Sequence, residues 1–128
     1  MAAGGAKPLV QAAEELSATM KLLHRRGWCD GTGGNFSVVV EQEPLRLLMA
    51  PSGVDKGSVQ AQDLIEVNRN GDVIRGVGRA SAETLLHLRI IDCCGAGAVL
   101  HTHSLSATLL SRTELQRGSV CLEGWEML

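Results

Sequence analysis

The chain predicts an α/β fold in layers, with a central, largely antiparallel sheet flanked by helices. Three observations carry this expectation. Helical and β-branched stretches are interleaved along the chain rather than segregated. Its middle reads as short strands separated by turn residues. At 128 residues and 45% apolar, it is long enough to close one core, and it shows no internal repeat and no linker.

Residues 1–7 are Met1 followed by Ala and Gly with one Lys, which predicts a flexible start; 8–128 is expected to form a single domain. From Pro8, the spacing of Leu9, Ala12 or Ala13, Leu16, Met20 and Leu23 sets an apolar helical stripe. Lys21, Arg25 and Arg26 suit the negative end of its dipole, and Gly27 can stop it. The turn Asp30-Gly31-Thr32-Gly33-Gly34-Asn35 leads into a strand over 36–40. A second strand is expected over 45–50, ended by Pro51-Ser52-Gly53. Residues 63–67 and 72–75 flank Asn68-Arg69-Asn70-Gly71 and read as a hairpin. Ser81 can cap a helix over 82–94, which Gly95-Ala96-Gly97 breaks. Residues 98–103 read as a buried strand ending in polar residues, 104–111 as a short helix and 119–122 as a strand. Trp125-Glu126-Met127-Leu128 reads as the start of a helix. One turn is not stable alone, so the chain is expected to be short of a complete domain.

Composition excludes several functions. Twelve Lys and Arg against fourteen Asp and Glu leave a net charge of −2, without the basic excess of a nucleic-acid binder. Trp28, Phe36 and Trp125 are the only aromatic residues, too few for base stacking. No apolar run approaches the ~20 residues of a membrane helix, and no charged-then-apolar leader opens the chain. A soluble cytoplasmic protein is expected. Cys29, Cys93, Cys94 and Cys121 form no CxxC pair and are expected to be free thiols, mostly small buried residues.

Candidate chemistry starts at His101-Thr102-His103. Side chains at i and i+2 of a strand share a face, so two imidazoles can converge on one ion. Zinc accepts histidine nitrogen and in enzymes takes three protein ligands and an open position. A solvated and a hydrogen-bonded histidine at a strand end would look the same. His24 reads as a surface residue, and His87 as a surface or core one. In Gly31-Thr32-Gly33-Gly34-Asn35, successive amides can point at one anion, although a plain turn has the same composition. Ser52-Gly53 and Ser81, the latter at a helix N-terminus, can join that site or serve as a turn and a cap. Glu83 and Glu126 are candidate acid/base groups; a first-turn acid and an exposed helix residue are the plainer readings.

In this order, Gly31–Asn35, Pro51-Ser52-Gly53, Ser81-Ala82-Glu83 and Gly97–His103 resemble the class II aldolase/adducin superfamily. Gly27-Trp28, Ala50–Val54 and Glu123–Leu128 resemble its methylthioribulose-1-phosphate dehydratase branch, of methionine salvage. The resemblance implies α/β/α layers, a homotetramer with sites near subunit boundaries, and one zinc ion per subunit held by three histidines. Two of these match His101 and His103; the third belongs to a C-terminal part that this chain does not contain. It implies phosphate binding by Gly34, Asn35, Ser52, Gly53 and Ser81. It also implies acid/base roles for Glu126 in a dehydratase and Glu83 in an aldolase. The implied reaction is loss of water from 5-methylthioribulose 1-phosphate. A sugar-phosphate aldolase of the fuculose-phosphate type and a non-catalytic adducin-like interaction domain are the alternatives.

Overall fold

Helix α1, Leu9–Arg25, forms where the expected apolar stripe falls on one side, burying Ala12, Ala13, Leu16 and Met20. Pro8 sits at its N-cap, where no intrahelical N–H is missed, and Gly27 turns the chain away at φ +70°. The computed structural model describes residues 8–121, 123 and 124. The expected flexible start and the expected helix at 125–128, including Glu126, lie outside the described residues.

Five strands follow: β1 (Asn35–Gln42), β2 (Leu45–Met49), β3 (Ile65–Asn68), β4 (Val73–Arg75) and β5 (Ala98–His101). They form one sheet in the order β4-β3-β2-β1-β5, and every pairing is antiparallel. The strand alternation divides the apolar residues between two cores. Phe36, Val38 and Leu48 face α1. Val39, Leu47, Met49, Ile65 and Val67 face the opposite way, where helix α2, Thr84–Cys94, lays down Leu88 and Ile91. The helix–sheet–helix layering is therefore a direct consequence of two-sided apolar strands. A third helix, α3 (Leu105–Thr113), is capped by Ser104, whose hydroxyl accepts from the Ala107 amide at 3.2 Å.

One charged residue breaks the apolar pattern of β3. Glu66 is buried, and its carboxylate accepts from Arg46 on β2 and from Arg75 on β4. Two guanidiniums on adjacent strands offset the cost of burying that charge.

Several local expectations need correction. Residues 119–121 form no strand, and Leu122 lies outside the described residues. The strand expected to run buried to His103 stops at His101, with Ala98 and Leu100 exposed. It is one of the two edge strands of the sheet, so among the described residues it has a neighbour strand on one side only. Ser81 does not cap α2 directly. The helix begins at Thr84 after a turn in which the Ser81 hydroxyl accepts from the Glu83 amide at 3.2 Å. Of the four free cysteines only Cys29 is buried. His24 is half-buried rather than a surface residue: its ring lies against Gly57, where an added Cβ would come within 2.5 Å.

Candidate functional site

The site assembles at one end of the sheet, where the loop before β1, the turn after β2, the start of α2 and the end of β5 meet. The β1–β5 register places Asn35 opposite His101, so the last residue of the Gly loop and the first histidine are sheet neighbours. Gly34 makes this approach possible. Its φ is +80°, and a Cβ there would lie 2.9 Å from the His101 carbonyl oxygen and 3.1 Å from Cys29 Cβ. Only glycine meets both conditions without strain.

His101 and His103 converge, with ring centroids 4.7 Å apart and planes tilted by 55°. His103 lies beyond the strand, but its amide donates to the Trp28 carbonyl at 2.7 Å, which pins the segment to the loop after α1. His101 Nδ1 lies 2.7 Å from Glu83 Oε2, and the Asn35 side-chain amide donates to the same carboxylate oxygen. Asn35, Glu83 and His101 thus form one chain. It fixes the imidazole through Nδ1 and leaves Nε2 as the nitrogen able to ligate.

Beside this chain is a cleft of about 280 Å³. Its walls are Thr32 to Asn35, Ser52 and Gly53, Lys56, Ser81 to Glu83, and His103. All five residues expected to hold phosphate lie on it. Two of the loop amides are already used, since Gly33 donates to Asp30 at 3.1 Å and Ser52 to Arg79 at 2.8 Å. The Asn35 side-chain amide likewise gives one of its two N–H donors to Glu83. The Ser81 hydroxyl accepts from Glu83 N, and its own proton is left to donate.

Sequence reading passed over Lys56. It is buried, and Nζ donates to the Thr32 carbonyl at 3.0 Å and the Val54 carbonyl at 2.9 Å. Burial lowers its pKa, an effect that Cys29 and Asp55 oppose. The available signal was a lysine one short loop beyond Ser52-Gly53. A roomier cleft of about 420 Å³ beside the start of α1 is lined by Leu9, Val10, Ala13 and Leu48, but there Glu66 and Arg75 are paired with each other.

His87 belongs to the core. Its Nδ1 is 2.7 Å from the Ser37 hydroxyl, and its buried Nε2 has no hydrogen-bond partner among the described residues. Burial lowers its pKa, the nearby His101 adds to this, and Glu83 opposes it. The folded protein therefore resists protonating His87, whereas the unfolded chain takes up the proton near pH 6.5. Stability from this group is present above that pH and is lost as pH falls through the folded value. We expect wild-type stability to drop relative to His87→Gln below pH 6.5, by at most about 1.4 kcal/mol per pH unit. Urea unfolding at pH 7.5, 6.5 and 5.5 checks it; parallel curves for the two proteins would contradict it.

Zinc is the metal that the resemblance implies, and the donor set fits two positions of its shell. Two imidazoles converge, and one is anchored at Nδ1 by a carboxylate, as ligating histidines are. Among the described residues no group of three or more His, Cys, Asp or Glu is placed to hold a metal.

The family model for the class II aldolase and adducin N-terminal domain matches residues 14–125. The methylthioribulose-1-phosphate dehydratase of Acidiphilium cryptum is 39% identical over 100% of this chain and 61% of its own length. That of Serratia proteamaculans is 40% identical over 89% of this chain and 56% of its own. The chain thus spans little more than half the length of these curated relatives. Among solved structures, YgbL of Escherichia coli superposes with a TM-score of 0.74 at 29% identity, covering 91% of this chain and 51% of that one. The L-fuculose-1-phosphate aldolase of Thermus thermophilus gives 0.66 at 30% identity, covering 83% of this chain and 52% of that one.

Proposed function

Because the chain belongs to the class II aldolase and adducin family, we propose that it acts as a zinc-dependent lyase on a ketose phosphate. The substrate in this reading is 5-methylthioribulose 1-phosphate, and the product is 2,3-diketo-5-methylthiopentyl 1-phosphate. The names of the relatives at 36–40% identity support that choice. The observation that carries the reading is the adjacency of a polar cleft, with Ser52, Gly53 and Ser81, to the Asn35–Glu83–His101 chain and His103. The reading places the protein in the cytoplasm and in methionine salvage, as a homo-oligomer; no helix among the described residues is long and apolar enough to cross a membrane.

His101 and His103 would hold the zinc, with its other ligands coming from outside the described residues. When bound there, zinc supplies a Lewis acid that polarises a carbonyl and acidifies the neighbouring C–H. Gly34, Ser52, Gly53 and Ser81 hold the phosphate and so fix the distance from C1 to the reacting carbons. Glu83 spends Oε2 on two donors, which suits orienting His101 better than removing a proton. The proton at C3 then goes to Glu126, the hydroxyl at C4 leaves with a proton as water, and the resulting enol ketonises to the diketone.

Product analysis tests this directly. Zinc-supplemented protein and 5-methylthioribulose 1-phosphate are expected to give a phosphate ester that has lost one water and kept its whole carbon chain. Release of dihydroxyacetone phosphate would instead show aldol cleavage, and unchanged substrate would show that neither reaction occurs.

A further inference from the structure

We propose that Lys56 is a positioning residue of the cleft and the fixed counter-charge for the anion bound there. The inference rests on reading the cleft as a phosphate site and deepens it.

Three observations lead to this. The first is placement. Lys56 is only 3% exposed, yet it lies on the cleft wall between the Gly loop and the Ser52-Gly53 turn. The second is its bonding. Nζ donates to the carbonyl of Thr32 in one loop and of Val54 in the other, so one ammonium ties the two walls together. Both partners are neutral, and an ammonium has three donors, so among the described residues one N–H and the full charge are left over. The third is the state of the other donors. The backbone amides of Gly33 and Ser52 are committed within the protein, as is one of the two N–H donors of the Asn35 side chain. Backbone amides therefore supply less to an anion than the glycine content of the loop promises. A buried cation facing two carbonyls is poorly compensated, and an anion in the cleft would compensate it.

Groups near Lys56 bear on the test. Cys29 and Asp55 interact with its charge, and Cys29 is itself a buried thiol whose pKa burial raises. Inorganic phosphate is the probe. Calorimetric titration of the 128-residue chain at pH 7.5 is expected to show Lys56→Met binding phosphate at least about tenfold more weakly than wild type. Should Lys56→Met fail to fold, the wild type still answers. The Lys56 side-chain carbon next to Nζ is followed by NMR through a pH titration, in phosphate and in chloride at matched ionic strength. By linkage, a tenfold preference of phosphate for the charged form raises the Lys56 pKa by about one pH unit. A lysine with a purely structural role would not respond.

Weakened binding in Lys56→Met, or the raised pKa, supports the proposal. Binding that is unchanged in a folded Lys56→Met, or a pKa indifferent to phosphate that does bind, overturns it and leaves the phosphate reading of the cleft standing. A wild-type chain that binds no phosphate overturns both.

Discussion

His101→Ala is expected to lower zinc affinity by more than about 100-fold, and Glu83→Ala by about 10–100-fold. The order follows from the geometry. In the proposed site His101 contributes a ligating nitrogen itself, whereas Glu83 acts through it, holding Nδ1 at 2.7 Å so that Nε2 keeps its lone pair and its direction. Removing the carboxylate leaves the imidazole in place but free to rotate and to exchange tautomers. His103→Ala should match His101→Ala, because the two rings stand 4.7 Å apart and the loss of either leaves a single described histidine to join the remaining ligands. Competition with a chromophoric chelator measures all three variants. Zinc affinity that survives His101→Ala would show that the pair does not form the site.

Gly34→Ala is expected to destabilise the protein by about 2–4 kcal/mol, combining left-handed backbone strain with overpacking. Gly53→Ala is the matched control. Both glycines have φ near +80°, at +80° and +77°, so both substitutions incur the backbone term. Only at Gly34 does the new methyl meet the His101 carbonyl, the Phe36 ring and Cys29; at Gly53 none of the described residues lies within 4 Å. The difference between the two in urea unfolding, expected to be about 1–3 kcal/mol, isolates the close approach of the Gly loop to β5. Because that approach sets Asn35 beside His101, Gly34→Ala should also weaken zinc binding, whereas Gly53→Ala should not. Equal destabilisation by the two would contradict the packing described for the loop.

Much of the fold was legible in the sequence, because local patterns and tertiary burial agree there. The three-to-four spacing of Leu9 to Leu23 became α1, and the turn expected at Asn68–Gly71 falls at residues 69–72, between β3 and β4. The loops that line the cleft were legible as loops, since glycine and serine mark turns whatever they bind. Three features were not. The exposure of Ala98 and Leu100 depends on β5 being outermost, which strand order decides and local composition does not. The burial of Glu66 depends on arginines brought in from two neighbouring strands. Lys56 reads as an ordinary loop lysine until the fold sets Thr32 and Val54 on either side of it. Each is a matter of long-range pairing, on which a single residue's chemistry is silent. Asn35 illustrates the same point at the site itself: the sequence does not reveal that its side-chain amide also donates to Glu83.

In the proposed function the Gly loop, the Ser52-Gly53 turn and Ser81 form one anion cleft beside the histidine pair. Amide NMR of the protein, titrated with inorganic phosphate, tests it most directly. The expected result is that signals of Gly34, Gly53, Ser81 and His103 shift together along one binding curve, while Val10 and Ala13 at the other cleft stay fixed. Shifts confined to the α1 cleft, or no common curve among the three loops, would contradict it.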